Sequence, residues 1–461
     1  MKKTVCELFA GVGGFRCGLN NINKVGDAKK NEKWETVWFS QWEPAEKLTQ
    51  YAHDCYVYHF GTCLDLNGED TTNVNIEDVN KRAIPDFNLL VGGFPCQDYS
   101  VASSLATSKG LEGKKGILWW SIREILEVKK PPFVLLENVD RLLKSPAKQR
   151  GRDFGIILAC FRDEGYTVEW RVINAADYGY QQRRRRIFIY AYKNETKYAR
   201  YINNIVKYSN KHGLEEKRMS FASIIGKKGF FAETFPIHNI DEKKVRTIQL
   251  PKELGDLSET FSFDFENSGV MKDGDVYTIK TESAYTGKQI TLGDIMDNED
   301  VDSKYFIPEN RLYYTYPDIR HSDETTERLS KEQRQTWQYI KGAKKLPRKT
   351  ATGHEYIFSE GAIPMIDVYD KPARTMLTSE GSFSRTTHIV KDKKTGKIRL
   401  LTACETERIQ GFPTNHTKYC LVNGEVVEMP LNKRRFMMGN ALVVDLIKVM
   451  ERKLSEIFDQ E

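Results

Sequence analysis

The chain has 461 residues, a hydrophobic share of 40%, a charged share of 29% and a net charge of +6. It is long enough for two or three domains with ample core, and no apolar run approaches the roughly 20 residues of a membrane-spanning helix. The eight cysteines, at positions 6, 17, 55, 63, 96, 160, 404 and 420, show no pair at metal-knuckle spacing. They predict a reducing compartment and no metal.

Strand-like and helix-like segments alternate from residue 1 to about 192. The predicted strands are Thr4 to Phe9, Thr36 to Ser40, Phe87 to Val91, Phe133 to Leu136, Val168 to Ile173 and Arg186 to Tyr192. Helices are expected over Ile117 to Val128 and Phe154 to Glu164. This alternation predicts an α/β fold built on a parallel, doubly wound sheet. From 195 to 370 the text turns polar, with no clear periodicity. The chain start, Met1-Lys2-Lys3-Thr4-Val5, has a positive end, but Glu7 and the glycines cut the apolar stretch too short for a signal peptide, which predicts a cytoplasmic protein.

Gly11, Gly13 and Gly14 follow the first strand directly, where a chain that must turn tightly and approach a ligand needs them. Such a turn alone equally suits a nicotinamide-binding domain. More specific is Gly92-Gly93-Phe94-Pro95-Cys96-Gln97, followed forty residues later by Leu135-Leu136-Glu137-Asn138-Val139. Each polar residue lies at or beyond the carboxyl end of a short apolar run, the edge at which open α/β sheets bind ligands. A lone buried cysteine usually only packs, and a lone strand-end glutamate is usually solvated. Together they match the demands of methylation at carbon 5 of cytosine. That carbon becomes nucleophilic only after a thiolate adds at carbon 6, and the charge this sends to ring nitrogen 3 is relieved by a protonated, buried carboxyl.

Ordered along the chain stand Glu7-Leu8-Phe9-Ala10-Gly11-Val12-Gly13-Gly14, the Pro95-Cys96 loop, Glu137-Asn138-Val139, and Tyr178-Gly179 leading to Gln182-Arg183-Arg184-Arg185-Arg186. Lys371-Pro372-Ala373-Arg374-Thr375, Leu401 to Glu405 with Gln410-Gly411-Phe412-Pro413, and Met438-Gly439-Asn440-Ala441-Leu442-Val443 complete the series. In this order the segments resemble the cytosine-C5 DNA methyltransferase family, of the bacterial restriction-modification type. The resemblance implies a class I S-adenosylmethionine-dependent methyltransferase fold with a smaller, irregular target-recognition domain. The implied domains are residues 1–194, catalytic and cofactor-binding; 195–431, target-recognizing; and 432–461, returning to the first, with a helix over Gly439 to Leu454.

The resemblance also distributes roles. Cys96, Glu137, Arg184 and Arg186 are catalytic. S-adenosylmethionine is held by Phe9, Gly11, Gly13, Gly14, Gln41, Trp42, Asn75, Ile76, Pro95, Asn440 and Leu442. DNA is contacted by Gln97, Ser100, Gln182, Arg184 and Arg186. Arg184 and Arg186, two apart on extended chain, share a side, whereas Arg183 and Arg185 face away. Gln41 and Asn75 stand where the family carries acids for the ribose and the adenine amino group, and Lys115-Gly116 replaces an Arg-Gly pair. A second basic cluster runs from Lys341 to Lys349.

The implied partners are double-stranded DNA and a paired restriction endonuclease, with no membrane and no metal. Gln41 to Pro44, Gln97 to Ala102 and Asp140 to Pro146 are similar to family members that protect GATC sites. The rival readings are an RNA cytosine-C5 methyltransferase, expected to be more compact, and a catalytically silent DNA-binding protein, disfavoured by intact Cys96, Glu137 and Arg184. A nicotinamide oxidoreductase leaves Cys96 and Gln182 to Arg186 without purpose.

Overall fold

The computed structural model describes residues 1–27, 32–44, 46, 49–94, 118–206, 213–314, 329–350 and 353–461. Six strands form the body of one sheet: β1 (Thr4–Leu8), β2 (Glu35–Ser40), β3 (Leu89–Gly93), β4 (Phe133–Val139), β5 (Tyr166–Asn174) and β6 (Arg185–Lys193). The first four pair in parallel in the order β2-β1-β3-β4. β6 then inserts antiparallel between β4 and β5. The period-2 alternation of the strands separates two cores. Leu89, Val91, Phe133 and Leu135 face one side, and Leu90, Val134 and Leu136 face the other.

Four helices cover these faces: α1 (Gly14–Leu19), α2 (Tyr51–Phe60), α3 (Leu118–Lys129) and α4 (Arg152–Asp163). α3 and α4 bury Trp119, Ile122, Phe154 and Ile157 against the face of Leu90 and Leu136. The opposite face receives α1 together with two helices from the chain's end, α5 (Leu431–Asn440) and α6 (Val444–Gln460). The expected single helix from Gly439 is therefore two. Ala441 and Val443 are extended, and this break carries Leu442 to the functional cavity.

The sheet does not stop where the polar text begins. β7 (Arg246–Gln249), β8 (Ser268–Lys272) and β9 (Asp275–Ile279) extend it to nine strands, β8 pairing antiparallel with β5. The expected boundary at 194 thus falls inside one continuous sheet, and the expected parallel, doubly wound sheet continues into antiparallel strands beyond β4. The physical reason is the exposed edge of β5, a nine-residue strand needing a hydrogen-bonding neighbour. Among the described residues beyond 280 lie three separate hairpins: β10–β11 (Lys344–Lys349 and Glu355–Glu360), β12–β13 (Ile389–Lys391 and Ile398–Leu400) and β14–β15 (Tyr419–Val422 and Glu425–Glu428). Among the described residues no helix is long and apolar enough to cross a membrane.

Candidate active site

A cavity of about 580 Å³ opens at the carboxyl ends of β1, β3 and β4. Its wall contains Phe9, Gly11, Gly14, Gln41, Trp42, Glu137, Arg184, Arg186, Asn440 and Leu442. Ten expected site residues from five distant stretches of sequence thus meet in one place. Pro95, Cys96, Gln97 and Ser100, as well as Lys115 and Gly116, lie outside the described residues.

The turn after β1 explains half of this wall. Phe9 and Gly11 take left-handed backbone conformations, with φ of 54° and 56°, and a side chain added at Gly11 would meet no atom within 4 Å. Open space there leaves the backbone accessible to a ligand. The Gly11 amide donates to Gln41 Oε1 at 2.8 Å, so the residue at the family's acid position braces the loop through its carbonyl. Its amide nitrogen has no partner among the described residues, a donor for a ligand hydroxyl. Trp42, 43% exposed, presents a ring at the rim. Gly13 serves packing instead. It does not line the cavity, and a Cβ there would fall 2.6 Å from the Phe60 ring.

Asn75 and Ile76 are not brought to the cavity. Asn75 caps a short 3-10 turn, accepting from the Glu77 amide at 3.3 Å, and Ile76 is core. Asn is favoured at such positions because its side-chain oxygen satisfies a free backbone N–H. Gln182 is also displaced. It is fully buried, bridges to Ala373, and contributes nothing to the cavity wall.

Glu137 occupies the centre. β3 and β4 place it opposite Gly93, and a Cβ on Gly93 would lie 3.1 Å from Glu137 Oε2. Asn138 donates to the Phe94 carbonyl at 2.9 Å. The carboxylate is thereby fixed beside the chain entering Pro95-Cys96, three residues before the thiol. Arg186 Nε binds Glu137 Oε1 at 2.8 Å, and the Glu137 side chain is 12% exposed. Burial raises its pKa above the ordinary carboxyl value, opposed by the charges of Arg186 and Arg184. Oε2 has no hydrogen bond among the described residues, leaving one carboxyl oxygen for a substrate.

Arg184 is 1% exposed and works as a strut. Its Nη1 donates to the Met376 carbonyl at 2.9 Å and its Nη2 to the Gly439 carbonyl at 3.0 Å. Burial, with Arg186 nearby, brings its pKa down to about 9, so it stays charged at neutral pH. Around it the Ala373 amide donates to the Gln181 carbonyl, the Arg183 amide returns a bond to Ala373, both at 2.8 Å, and the Thr375 hydroxyl bonds the Arg183 carbonyl. Lys371 to Thr375 is thus laced to the start of β6. Arg183 is exposed, and Arg185 pairs with Asp140 at 3.1 Å, so the alternation of the four arginines is as expected.

Sequence reading missed several contributors. Glu7, buried beneath the loop, accepts from the Tyr56 hydroxyl at 2.9 Å, and burial pushes its pKa up to about 7. Tyr56 also accepts from Arg16, which pairs with Glu32 at 2.6 Å. Phe412 and Asn138 line the cavity, and only their places within quoted motifs pointed to them. His416 donates from Nε2 to the Val12 carbonyl of the loop at 2.7 Å. The ring stacks on His59 at 4.2 Å. With Cys55 these histidines bring three potential metal ligands within 4.8 Å. The parallel rings spend two nitrogens on carbonyls, which is an arrangement of hydrogen bonds. Burial holds His416 neutral, its pKa down to about 3.

Comparison with known proteins now decides the assignment. Residues 3–456 match the model of the C-5 cytosine-specific DNA methylases. The chain belongs to this family. The methylase is 42% identical over 457 residues to Type II methyltransferase M.Sau3AI of Staphylococcus aureus, covering 99% of this chain and 96% of that one. Type II methyltransferase M.HhaI of Haemophilus parahaemolyticus is 30% identical over 189 residues, 41% of this chain and 49% of the relative. The Entamoeba histolytica methyltransferase EhMeth superposes with a TM-score of 0.50 at 14% identity, covering 100% and 99% of the two chains, a likeness of fold. The methylase therefore transfers a methyl group from S-adenosylmethionine to carbon 5 of cytosine in DNA. The open backbone at Gly11, the Gln41 amide and the Trp42 ring suit a ribose and a purine, and the cavity runs from them to Glu137.

Proposed function

We propose that this methylase acts through a covalent adduct between Cys96 and carbon 6 of a cytosine flipped out of duplex DNA. One observation carries the reading: Glu137 and Arg186 are paired over Gly93, beside the strand end that leads into Cys96. The cofactor supplies an electrophilic methyl on sulfur. The Cys96 thiolate forms the bond to carbon 6, and the carbon 5–carbon 6 π pair shifts so that carbon 5 becomes the nucleophile. The free oxygen of Glu137 supplies a proton to ring nitrogen 3 as charge gathers there. After methylation the carbon 5 proton leaves to water, the double bond re-forms as the thiolate departs, and the proton on ring nitrogen 3 returns to Glu137. Arg186 orients Glu137, and Arg184 holds the wall in place.

For the target we propose GATC, on the similarity of Gln41 to Pro44, Gln97 to Ala102 and Asp140 to Pro146 to GATC-protecting methyltransferases. The relatives' designation as Type II methyltransferases supports a paired restriction endonuclease and hence a cytoplasmic place of work. Base reading belongs to residues 195–370. DNA carrying 5-fluorocytosine at the target is expected to trap the enzyme, since fluorine cannot leave as a proton does, and Cys96→Ser to abolish trapping while DNA still binds. Undiminished methylation by C96S would overturn the covalent route. Bisulfite sequencing of a methylated plasmid checks the site, and a mark elsewhere with GATC bare would overturn the target alone.

A further inference from the structure

The three hairpins outside the sheet differ in chemistry. β14–β15 carries Glu425 and Glu428 on exposed positions, which DNA would repel. β12–β13 is three residues a side, with Arg399 locked between Asp392 and Glu405. β10–β11 is six residues a side, has no third strand among the described residues and is mostly exposed. A two-stranded ribbon gains little stability in water by itself, and one of this width matches the major groove of B-DNA.

Register sorts its side chains. Leu346 with Phe358 and Arg348 with Tyr356 share one face, while Lys345 with Ser359, Pro347 with Ile357 and Lys349 with Glu355 share the other. The Arg348 guanidinium stacks over the Phe358 ring at 3.6 Å, and no carboxylate among the described residues pairs with it. Its donor fork is therefore held flat and left available. Tyr356 is 41% exposed and Ile357 63%. Pro347 and the flanking lysines spoil β10 as a template for another strand, so joining a second sheet is not the ribbon's use.

The root of the ribbon leads to the active site. Glu360 pairs with Arg385 at 2.7 Å, and the buried Lys341 donates to the Thr387 carbonyl at 2.6 Å. Arg374 ties that same carbonyl, at 3.2 Å, to the segment laced onto Arg183. The hollow beside this root, lined by Glu380, Gly381 and Lys433, shares Glu46 and Phe436 with the catalytic cavity. In contrast, residues 246–279 are committed to the far edge of the sheet.

We propose that the β10–β11 ribbon enters the DNA major groove and reads the target, with Arg348 and Tyr356, which share one face, as its specificity-determining side chains. The inference rests on the DNA-methylating function and narrows recognition to one element. An arginine fork matches O6 and N7 of guanine, and the target proposed above contains that base.

The test uses the full chain and a plasmid library containing every four-base context, read by bisulfite sequencing. Arg348→Ala and Arg348→Lys are both expected to lower methylation at the wild-type target by roughly tenfold and to relax one base-pair position, since lysine keeps the charge without the fork. Tyr356→Ala should relax a second position. Cofactor affinity and melting temperature should match wild type in all three. An R348A/Y356A variant that keeps the wild-type context preference would overturn the proposal, as would an equal loss at every sequence, the mark of a phosphate contact. Either result would leave the enzyme class intact. Should wild type mark a site other than GATC, the target assignment fails and the ribbon is judged by whether R348A alters the preference for that site.

Discussion

The catalytic cavity and the β10–β11 ribbon both rely on arginine and treat it in opposite ways. Arg184 is enclosed, with two carbonyls from remote segments closed around it. Arg348 is exposed and stacked on one ring. In the cavity the charge holds parts of the protein in register, so its cost of burial is offset by fixed hydrogen bonds. On the ribbon the charge must exchange water for a base edge, and internal partners would compete with DNA. Chemistry is placed where the fold is least able to give, and reading where it touches least.

The largest expected effect follows from removing the strut. Arg184→Ala orphans the buried carbonyls of Met376 and Gly439 and should destabilise the fold by about 3 kcal/mol, with activity falling roughly a hundredfold through the displaced wall. Arg348→Ala should cost under about 0.5 kcal/mol. Urea melts of the two variants measure the contrast, and equal losses would erase it.

Next comes Glu137→Gln, expected to slow single-turnover methylation at least tenfold, about 1.4 kcal/mol in the barrier, with cofactor affinity unchanged. Weaker cofactor binding as the main effect would move Glu137 to the cofactor site. The pH dependence has a definite sign. Because burial raises the Glu137 pKa, its acid form persists above the ordinary carboxyl range and is lost as pH rises through the raised value. The rate should decline with rising pH through that window in the wild type and lose this decline in E137Q.

A smaller effect separates the two residues at the family's acid positions. Gln41→Ala removes the brace on Gly11 and a free donor and should weaken S-adenosylmethionine binding several-fold, about 1 kcal/mol by calorimetry. Asn75→Ala should leave cofactor affinity unchanged and cost local stability of about 1 kcal/mol for the lost cap. Equal loss of affinity in both variants would place Asn75 at the cofactor. Smallest of all is Arg183→Ala, an exposed change expected to stay within about 0.5 kcal/mol in stability.

What could be read in the sequence was local. The six strands β1 to β6 were visible as short apolar runs, and the facing of Arg183 to Arg186 followed from the two-residue repeat of extended chain. β7 to β9 were not, because Arg246-Thr247-Ile248-Gln249 and Asp275-Val276-Tyr277-Thr278-Ile279 mix polar and apolar residues over four or five positions and gain strand character from β5. The Glu137–Arg186 pair joins neighbouring strands, and motif order brought both residues to one site. The partners of Arg184 lie 192 and 255 residues away, beyond any periodicity. The cap at Asn75 was not legible for a physical reason: a capping asparagine and a ligand-binding one look alike until the short turn that follows is seen.

The extension of the sheet by β8, β9 and β7 bears on solubility. Without it the terminal strand would be β5, nine residues of which eight are buried, with a full row of unmatched amides and carbonyls. Such an edge invites intermolecular pairing and aggregation. With it the terminal strand is β7, four residues long and opened by Arg246. A fragment ended at residue 194 would uncover the edge of β5, and with it the sheet face that α5 and α6 cover.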